Sequence, residues 1–145
     1  MRTSLPPVIK AAERVLLEVE LAVRAFPRYH KYASGADLRA AAKKALHLSN
    51  RAWRDRAGQA HWVGELVWAV DEIVFTLQVC KQLQAFRSFA QFEQLIRSAE
   101  DLGRQVGGWK KQQHAKGQNA APHQAAPQRP QTLSARAASS REAQP

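Results

Sequence analysis

Apolar residues recur at helical spacing in four segments of the chain, and prolines bound the first of these segments. It begins near Pro6-Pro7, where a helix tolerates proline because its first N–H groups have no intrahelical partner. It ends before Pro27, since the residue preceding a proline is displaced from the α region. The apolar positions repeat every three or four residues and predict an amphipathic helix: Ile9, Ala12, Leu16, Val19, Val23 and Phe26.

The second segment is predicted to turn at Ser34-Gly35, to run as a helix from about Asp37 to Arg56, and to break at Gly58. On a helical wheel one face of this helix carries small residues, with Trp53 at its edge, and the opposite face is basic. The predicted inward positions are Leu38, Ala42, Ala45, Ser49 and Ala52.

The third segment spans roughly His61 to Leu83 and is the most apolar. Its predicted core seam is Val63, Leu66, Val70, Ile73, Leu77 and Cys80. A second stripe of Trp68, Phe75 and Val79 lies on about the opposite side of the wheel. Because exposed apolar groups of this size mark interfaces, we expect these three residues at a homo-oligomer contact. The alternative is that they pack beneath a neighbouring helix or the tail.

The fourth segment opens with the capping-box pair Ser88 and Gln91 and is expected to fray at Gly107-Gly108. Its apolar positions are Phe92, Leu95, Ile96, Ala99, Leu102, Val106 and Trp109. Beyond Gln113 the chain is rich in Ala, Gln, Pro and Ser without an apolar period, so we expect residues 114–145 to form a disordered, basic tail. The four helices predict an all-α, up-down antiparallel four-helix bundle over residues 1–113.

Lys and Arg are concentrated in residues 28–56, which carry eight of them against two Asp, in a chain of net charge +10. Charges of one sign at this density repel one another, so a polyanion such as nucleic acid is the expected partner, with a merely solvated surface as the alternative. Few aromatic residues lie between the basic ones, so phosphate contacts are expected to outweigh base stacking. The candidate contacts are Arg28, Lys31, Arg39, Lys43, Lys44, His47, Arg51 and Arg54.

Other features narrow the class of protein. No apolar run is long enough to span a membrane, no signal-peptide core follows the N-terminus, and one cysteine excludes an intramolecular disulfide, so we expect a soluble cytoplasmic protein. The histidines lack metal-site spacing, no glycine-rich phosphate loop precedes a helix, and no cofactor is expected. Cys80 falls in the core seam, where packing is its expected role.

Arg56 and His61 have the R-x4-H spacing of HEPN-type ribonucleases, which are also helical bundles and in which an Arg and a His act together on the scissile phosphate. A polar residue usually follows that Arg, whereas Ala57 follows it here, and Gly58 places the pair in a turn. The spacing also arises by chance in an Arg-rich chain. A small bundle ribonuclease or toxin is therefore the alternative function, set against a capping or solvated pair.

Three stretches together resemble a known family: FPRYHKYASGADLR after the first helix, SFAQFEQL at the start of the fourth, and DLGRQVGGWKK at its end. They are similar to the accessory variability determinant (Avd) proteins of diversity-generating retroelements, which belong with the four-helix-bundle proteins of bacterial ribosomal RNA intervening sequences. The likeness covers residues from about 8 to 111. Its matches serve as fold markers: Phe26-Pro27 for the helix break, and Phe92 and Trp109 for the core.

The resemblance implies a pentameric ring of bundles that is not an enzyme. Such a ring binds DNA, the template-repeat RNA and the reverse transcriptase of the same retroelement, and it is needed for mutagenic cDNA synthesis and retrohoming. The intervening-sequence relatives represent the same binding function without the polymerase. The resemblance supplies no catalytic residue, and the long Gln/Pro/Ala tail departs from the family pattern.

Overall fold

Four long helices and one short helix follow one another in the computed structural model, which describes residues 5–120 and their side chains as far as Lys116. No strand occurs within this described part of the chain. The helices are α1 (Pro7–Arg24), α2 (Arg28–Lys31), α3 (Ser34–Arg54), α4 (Gln59–Gln82) and α5 (Phe89–Ala120).

The four long helices form the predicted up-down bundle, in which α3 packs on both α1 and α4. α3 and α4 run antiparallel: the start of α3 lies beside the end of α4, where the Cys80 thiol donates to the Ser34 carbonyl oxygen. On the other side of the bundle, Ser98 of α5 donates a hydrogen bond to Glu18 of α1. α5 also packs on α4, where a Cβ atom placed on Gly103 would lie 3.6 Å from Val70 Cγ1, so α5 lies diagonally across the bundle from α3.

The core follows the predicted helical stripes closely. All five inward positions of α3 and all six seam positions of α4 are buried. The stripe on α1 is broader than predicted, since Val15 is also fully buried, while Leu16 packs only at the core edge. At the end of the bundle where α1 finishes, Phe86 contacts the rings of Phe26 and Phe92 at centroid distances of 5.1 and 5.6 Å.

The predicted turn at Ser34-Gly35 is wrong, because both residues belong to the first turn of α3. Gly35 is buried, and a Cβ atom placed on it would lie 2.8 Å from Val23 Cγ1 and 3.2 Å from the His30 carbonyl oxygen. The glycine therefore serves close approach between α1 and α3 rather than chain reversal. The reversal occurs one step earlier, in α2 and the residues beside it.

The predicted fraying at Gly107-Gly108 is also wrong, since α5 continues through both glycines to Ala120. Each glycine costs a helix about 1 kcal/mol relative to alanine, but buried Val106 before the pair and half-buried Trp109 after it hold the helix against the core. The compact unit that contains the bundle ends at Lys110. Residues 114–120, predicted as tail, are helical, and the rest of that tail lies outside the described residues.

The α4–α5 connection is a Schellman turn without its usual glycine. Gln84 has φ = 59°, its N–H bonds to the Lys81 carbonyl, and the Ala85 N–H bonds to the Cys80 carbonyl. At the start of α5, Gln91 N–H donates to Ser88 Oγ as the capping box predicts, and the Gln91 side chain accepts from the Arg87 N–H.

Replacing Gly35 and Gly64 by alanine tests the close approach with two like substitutions. Gly35→Ala is expected to lower the free energy of unfolding by about 1–3 kcal/mol, because the added methyl overlaps Val23. Gly64→Ala is expected to raise it by about 0.5–1 kcal/mol, since nothing lies within 4 Å of the new atom in a helix interior. Urea titrations followed by circular dichroism measure both changes, and equal effects at the two sites would contradict the assignment.

Gln84→Gly is expected to stabilise the bundle by about 1 kcal/mol, because glycine adopts a positive φ without the Cβ penalty. The matched control is Gln82→Gly, two residues earlier, where the backbone is helical and the substitution should destabilise by a similar amount. Thermal melts of the two variants should therefore move in opposite directions.

Candidate functional site

The outward face of α3 carries a row of basic side chains, as its wheel predicts. Lys43, His47 and Arg54 are exposed along the middle of this face, and Arg28 is exposed on α2. Arg54 makes a long hydrogen bond of 3.4 Å to Asn50 of its own helix. We define the basic face by five residues: Arg39, Lys43, His47, Arg51 and Arg54.

Arg39 is held by an acidic partner on another helix. Its Nε–H is shared between the two carboxylate oxygens of Glu20 on α1, at 3.0 and 3.1 Å. Both side chains are about a third exposed or more, so the pair contributes little to stability. The pair does neutralise one charge of the basic face. Its acidic member lies on α1, so the sequence of α3 alone gives no sign of it. Arg39 is therefore the least available of the predicted phosphate contacts.

Arg51 and Asp55 belong to a cluster that holds the α3–α4 turn. The Arg51 guanidinium lies 4.5 Å from the centre of the Trp62 ring, and Trp62 Nε1 donates a 3.0 Å hydrogen bond to Asp55 Oδ2. Asp55 Oδ1 accepts from the Gly58 N–H at 3.0 Å. The pKa of Asp55 is lowered by these two hydrogen bonds and by the nearby Arg51 charge. Arg51 contacts the Trp62 ring and is also exposed, so its charge remains accessible from solvent.

Lys44 flanks the basic face and lines a groove of about 510 Å³ between α3 and α4. Trp68 and Phe75 stand in this groove with 73% and 64% of their surface exposed, so neither curls beneath another helix in the described structure. Small residues of both helices line it, among them Ala40 and Ala41 of α3 and Ala69 of α4. Carboxylates outnumber lysine around it, because Asp37, Glu65 and Glu72 line it with Lys44. We call it the acid-rimmed groove; Val79 lines it too.

Two exposed tyrosines near the basic face are not among the residues that the sequence predicts as a site. Tyr29 and Tyr32 are 84% and 71% exposed, and Tyr32 lines a cleft of about 230 Å³. Lys31 Nζ lies 6.0 Å from the centre of the Tyr32 ring. The i, i+3 spacing of the two tyrosines was the available signal, since it places both on one side of a helical turn. The cleft is also lined by Glu20, Val23, Arg24 and Arg39.

The Arg56 and His61 pair does not form a built site in the described structure. Arg56 is exposed in the α3–α4 turn, outside either helix, and His61 is exposed in the first turn of α4. The His61 ring packs edge-on against Trp62 at 4.7 Å. No hydrogen bond joins the Arg56 and His61 side chains among the contacts of residues 5–116, and the nuclease hypothesis gains no geometric support.

Cys80 is a buried free cysteine near the end of α4. Burial and the charge of Asp37 raise the pKa of the Cys80 thiol to about 11, so it stays protonated at neutral pH. Among the side chains that the structure describes, no three His, Cys, Asp or Glu residues converge as metal ligands would.

Comparisons with known proteins add no identification. Across residues 5–120, no helix reaches both the length and the apolar content that membrane crossing demands. No protein-family model matches the chain, and a search of curated proteins finds no match.

Proposed function

We propose that this bundle is a non-enzymatic nucleic-acid-binding subunit that contacts phosphates through the basic face of α3. The observation that carries the proposal is the line of exposed Lys43, His47 and Arg54 on a helix whose other face is fully buried. A rigid helix holds these groups in register, and lysine and arginine bind phosphate oxygens without reading sequence. Arg28 on α2 extends the same surface.

The distribution of charge supports a polyanion rather than a general solubility role. Glu20 compensates Arg39, but no ion pair to Lys43 or Arg54 occurs among the described side chains. Uncompensated like charges on one helix face destabilise the folded chain modestly, and a bound phosphate backbone removes that repulsion. Such binding releases counterions and is therefore steeply salt-dependent.

The proposed setting is a diversity-generating retroelement, where the subunit would accompany the reverse transcriptase in mutagenic cDNA synthesis. This part of the proposal rests on the sequence resemblance. The bundle fold and the basic surface agree with it, and a cytoplasmic location follows from the same setting. Co-purification with the reverse transcriptase encoded nearest to its gene is the direct test of this partner.

The proposed assembly is a closed homo-oligomer, a pentamer on the resemblance, joined through Trp68, Phe75 and Val79. The support is the acid-rimmed groove, whose two large aromatic side chains stand in water in the single chain. A ring would repeat the basic face around its circumference, so weak phosphate contacts would act together as one avid surface.

Removing two exposed charges tests the basic face without disturbing its structural contacts. Lys43→Gln with Arg54→Gln is expected to weaken binding to every nucleic-acid sequence alike. The log–log salt slope should become shallower by about 0.9 for each duplex phosphate that the variant no longer neutralises. Fluorescence anisotropy at a series of salt concentrations measures both effects. Lys43 and Arg54 are chosen because Arg39 and Arg51 also contact side chains of α1 and α4.

The matched control removes the same charge from the other side of the bundle. Arg97→Gln with Arg104→Gln changes two exposed residues of α5, which lies diagonally across from α3. This variant should keep the wild-type salt slope. Equal losses of affinity in the two double variants would show that net charge matters and the basic face does not. Strong discrimination between unrelated sequences would refute the phosphate mechanism.

Trp68→Glu is expected to dissociate the oligomer to monomers. Each interface would lose an aromatic burial that contributes about 1.5–3 kcal/mol, and the new carboxylate would join three that already line the groove. Light scattering at micromolar concentration measures the mass. Leu17→Glu, at a 64% exposed position on α1, introduces the same charge outside the groove and should leave assembly intact. A monomeric wild-type protein would reject the assembly altogether.

A further inference from the structure

Two exposed tyrosines, Tyr29 and Tyr32, lie close in the chain to the start of the basic face. Tyr29 and Tyr32 lie on and immediately after the four-residue α2, with 84% and 71% of their surface in water. Most of each ring is therefore outside the core, although aromatic side chains of this size usually bury a large area on folding. Tyr29 is the second residue of α2 and Tyr32 is its C-cap, so the two tyrosines lie within one turn of chain.

Positive charge surrounds this aromatic pair. Arg24, Lys31 and Arg39 line the cleft of about 230 Å³ that Tyr32 borders, and Glu20 is the one acidic residue among its lining side chains. Lys31 Nζ lies 6.0 Å from the Tyr32 ring centre, and the His30 ring packs edge-on against Tyr29 at 5.1 Å. Arg39 belongs to both the cleft and the basic face. Tyr32 therefore stands beside Arg39, at the end of the basic face where α3 begins, and Tyr29 lies three residues earlier on α2.

We propose that the Tyr29–Tyr32 pair is a base-stacking platform that makes single-stranded nucleic acid the preferred ligand of this surface. The inference rests on the proposed phosphate binding and adds its substrate class. Bases in a duplex are stacked on their neighbours and offer no free face, so a surface tyrosine gains from stacking only when the strand is unpaired. The strand's phosphates then follow the basic face, which runs about 23 Å along α3 from Arg39 to Arg54.

Stacking on tyrosine accepts any base, so sequence preference stays weak while strandedness is discriminated. This property distinguishes the platform from the basic face, which attracts single and double strands alike. DNA and RNA strands share the required chemistry of an exposed base and a phosphate backbone.

The test compares ligands of about 20 nucleotides by fluorescence anisotropy: oligo-dT, oligo-rU and a DNA duplex of equal length. Replacing both tyrosines, Tyr29→Leu with Tyr32→Leu, should weaken binding to each single strand by about thirtyfold or more, since each base stacked on an aromatic ring contributes roughly 1–3 kcal/mol. Duplex affinity should change by less than about twofold, and the salt slope should stay as in wild type, because every phosphate-binding side chain is retained.

Two variants separate stacking from other causes. Tyr29→Phe with Tyr32→Phe keeps both rings and should retain single-strand affinity. Phe89→Leu removes a 62% exposed aromatic at the start of α5, which belongs neither to the cleft nor to the basic face, and should change nothing. Circular dichroism and light scattering on the leucine double variant verify its fold and mass. Loss of assembly with equal weakening toward all ligands would assign the tyrosines to a protein interface and overturn the proposal.

The remaining outcomes distinguish this inference from the proposed function. Unchanged single-strand binding in the leucine double variant, with the basic-face variant still impaired, would overturn the platform and leave phosphate binding standing. A wild-type protein that binds neither strands nor duplex would reject both. Weakening of oligo-rU but not oligo-dT, or the reverse, would support the platform and identify the strand chemistry it serves.

Discussion

The close packing of α3 between α1 and α4 is the constraint on which the other features depend. Its inward face consists mainly of alanine, with Gly35 at the point where Val23 approaches most closely. Small side chains let helix backbones approach, and they leave little volume to fill once the helices touch. Side chains of α1 and α4 can then reach around α3 to its outward half, as Glu20 and Trp62 do.

This reach resolves part of an electrostatic conflict. A helix with six basic residues on its outer half repels itself, and the bundle compensates only those at the flanks: Arg39 by Glu20, and Arg51 by the Trp62 ring and nearby Asp55. No ion pair to Lys43, His47 or Arg54 occurs among the described side chains. A carboxylate four positions away on the exposed helix would have neutralised each of these charges. No Asp or Glu stands four positions from Lys43, His47 or Arg54, so the centre of this face remains available for an external anion.

Sequence periodicity predicted the helices and their buried faces because a 3.6-residue repeat is a local property. It failed where the deciding contact was between helices. The local sequence predicts a turn at Gly35. The contact that requires glycine there comes from Val23, twelve residues away, and local sequence does not reveal it. The partner of Arg39 was invisible for the same reason, since Glu20 lies on another helix. At Gly107-Gly108 the local preference was real but weaker than the anchoring of Val106.

The two candidate surfaces of α3 differ in sign, and this difference separates their ligands. Asp37, Glu65 and Glu72 line the groove beside Trp68, so a polyanion is repelled there and drawn to the basic face instead. An apolar partner surface gains from burying Trp68 and Phe75 and can place a cationic rim against these carboxylates. Because none of the five basic-face residues lines the groove, neither ligand needs the other's contacts. Assembly through the groove and nucleic-acid binding by the basic face are therefore compatible in one molecule.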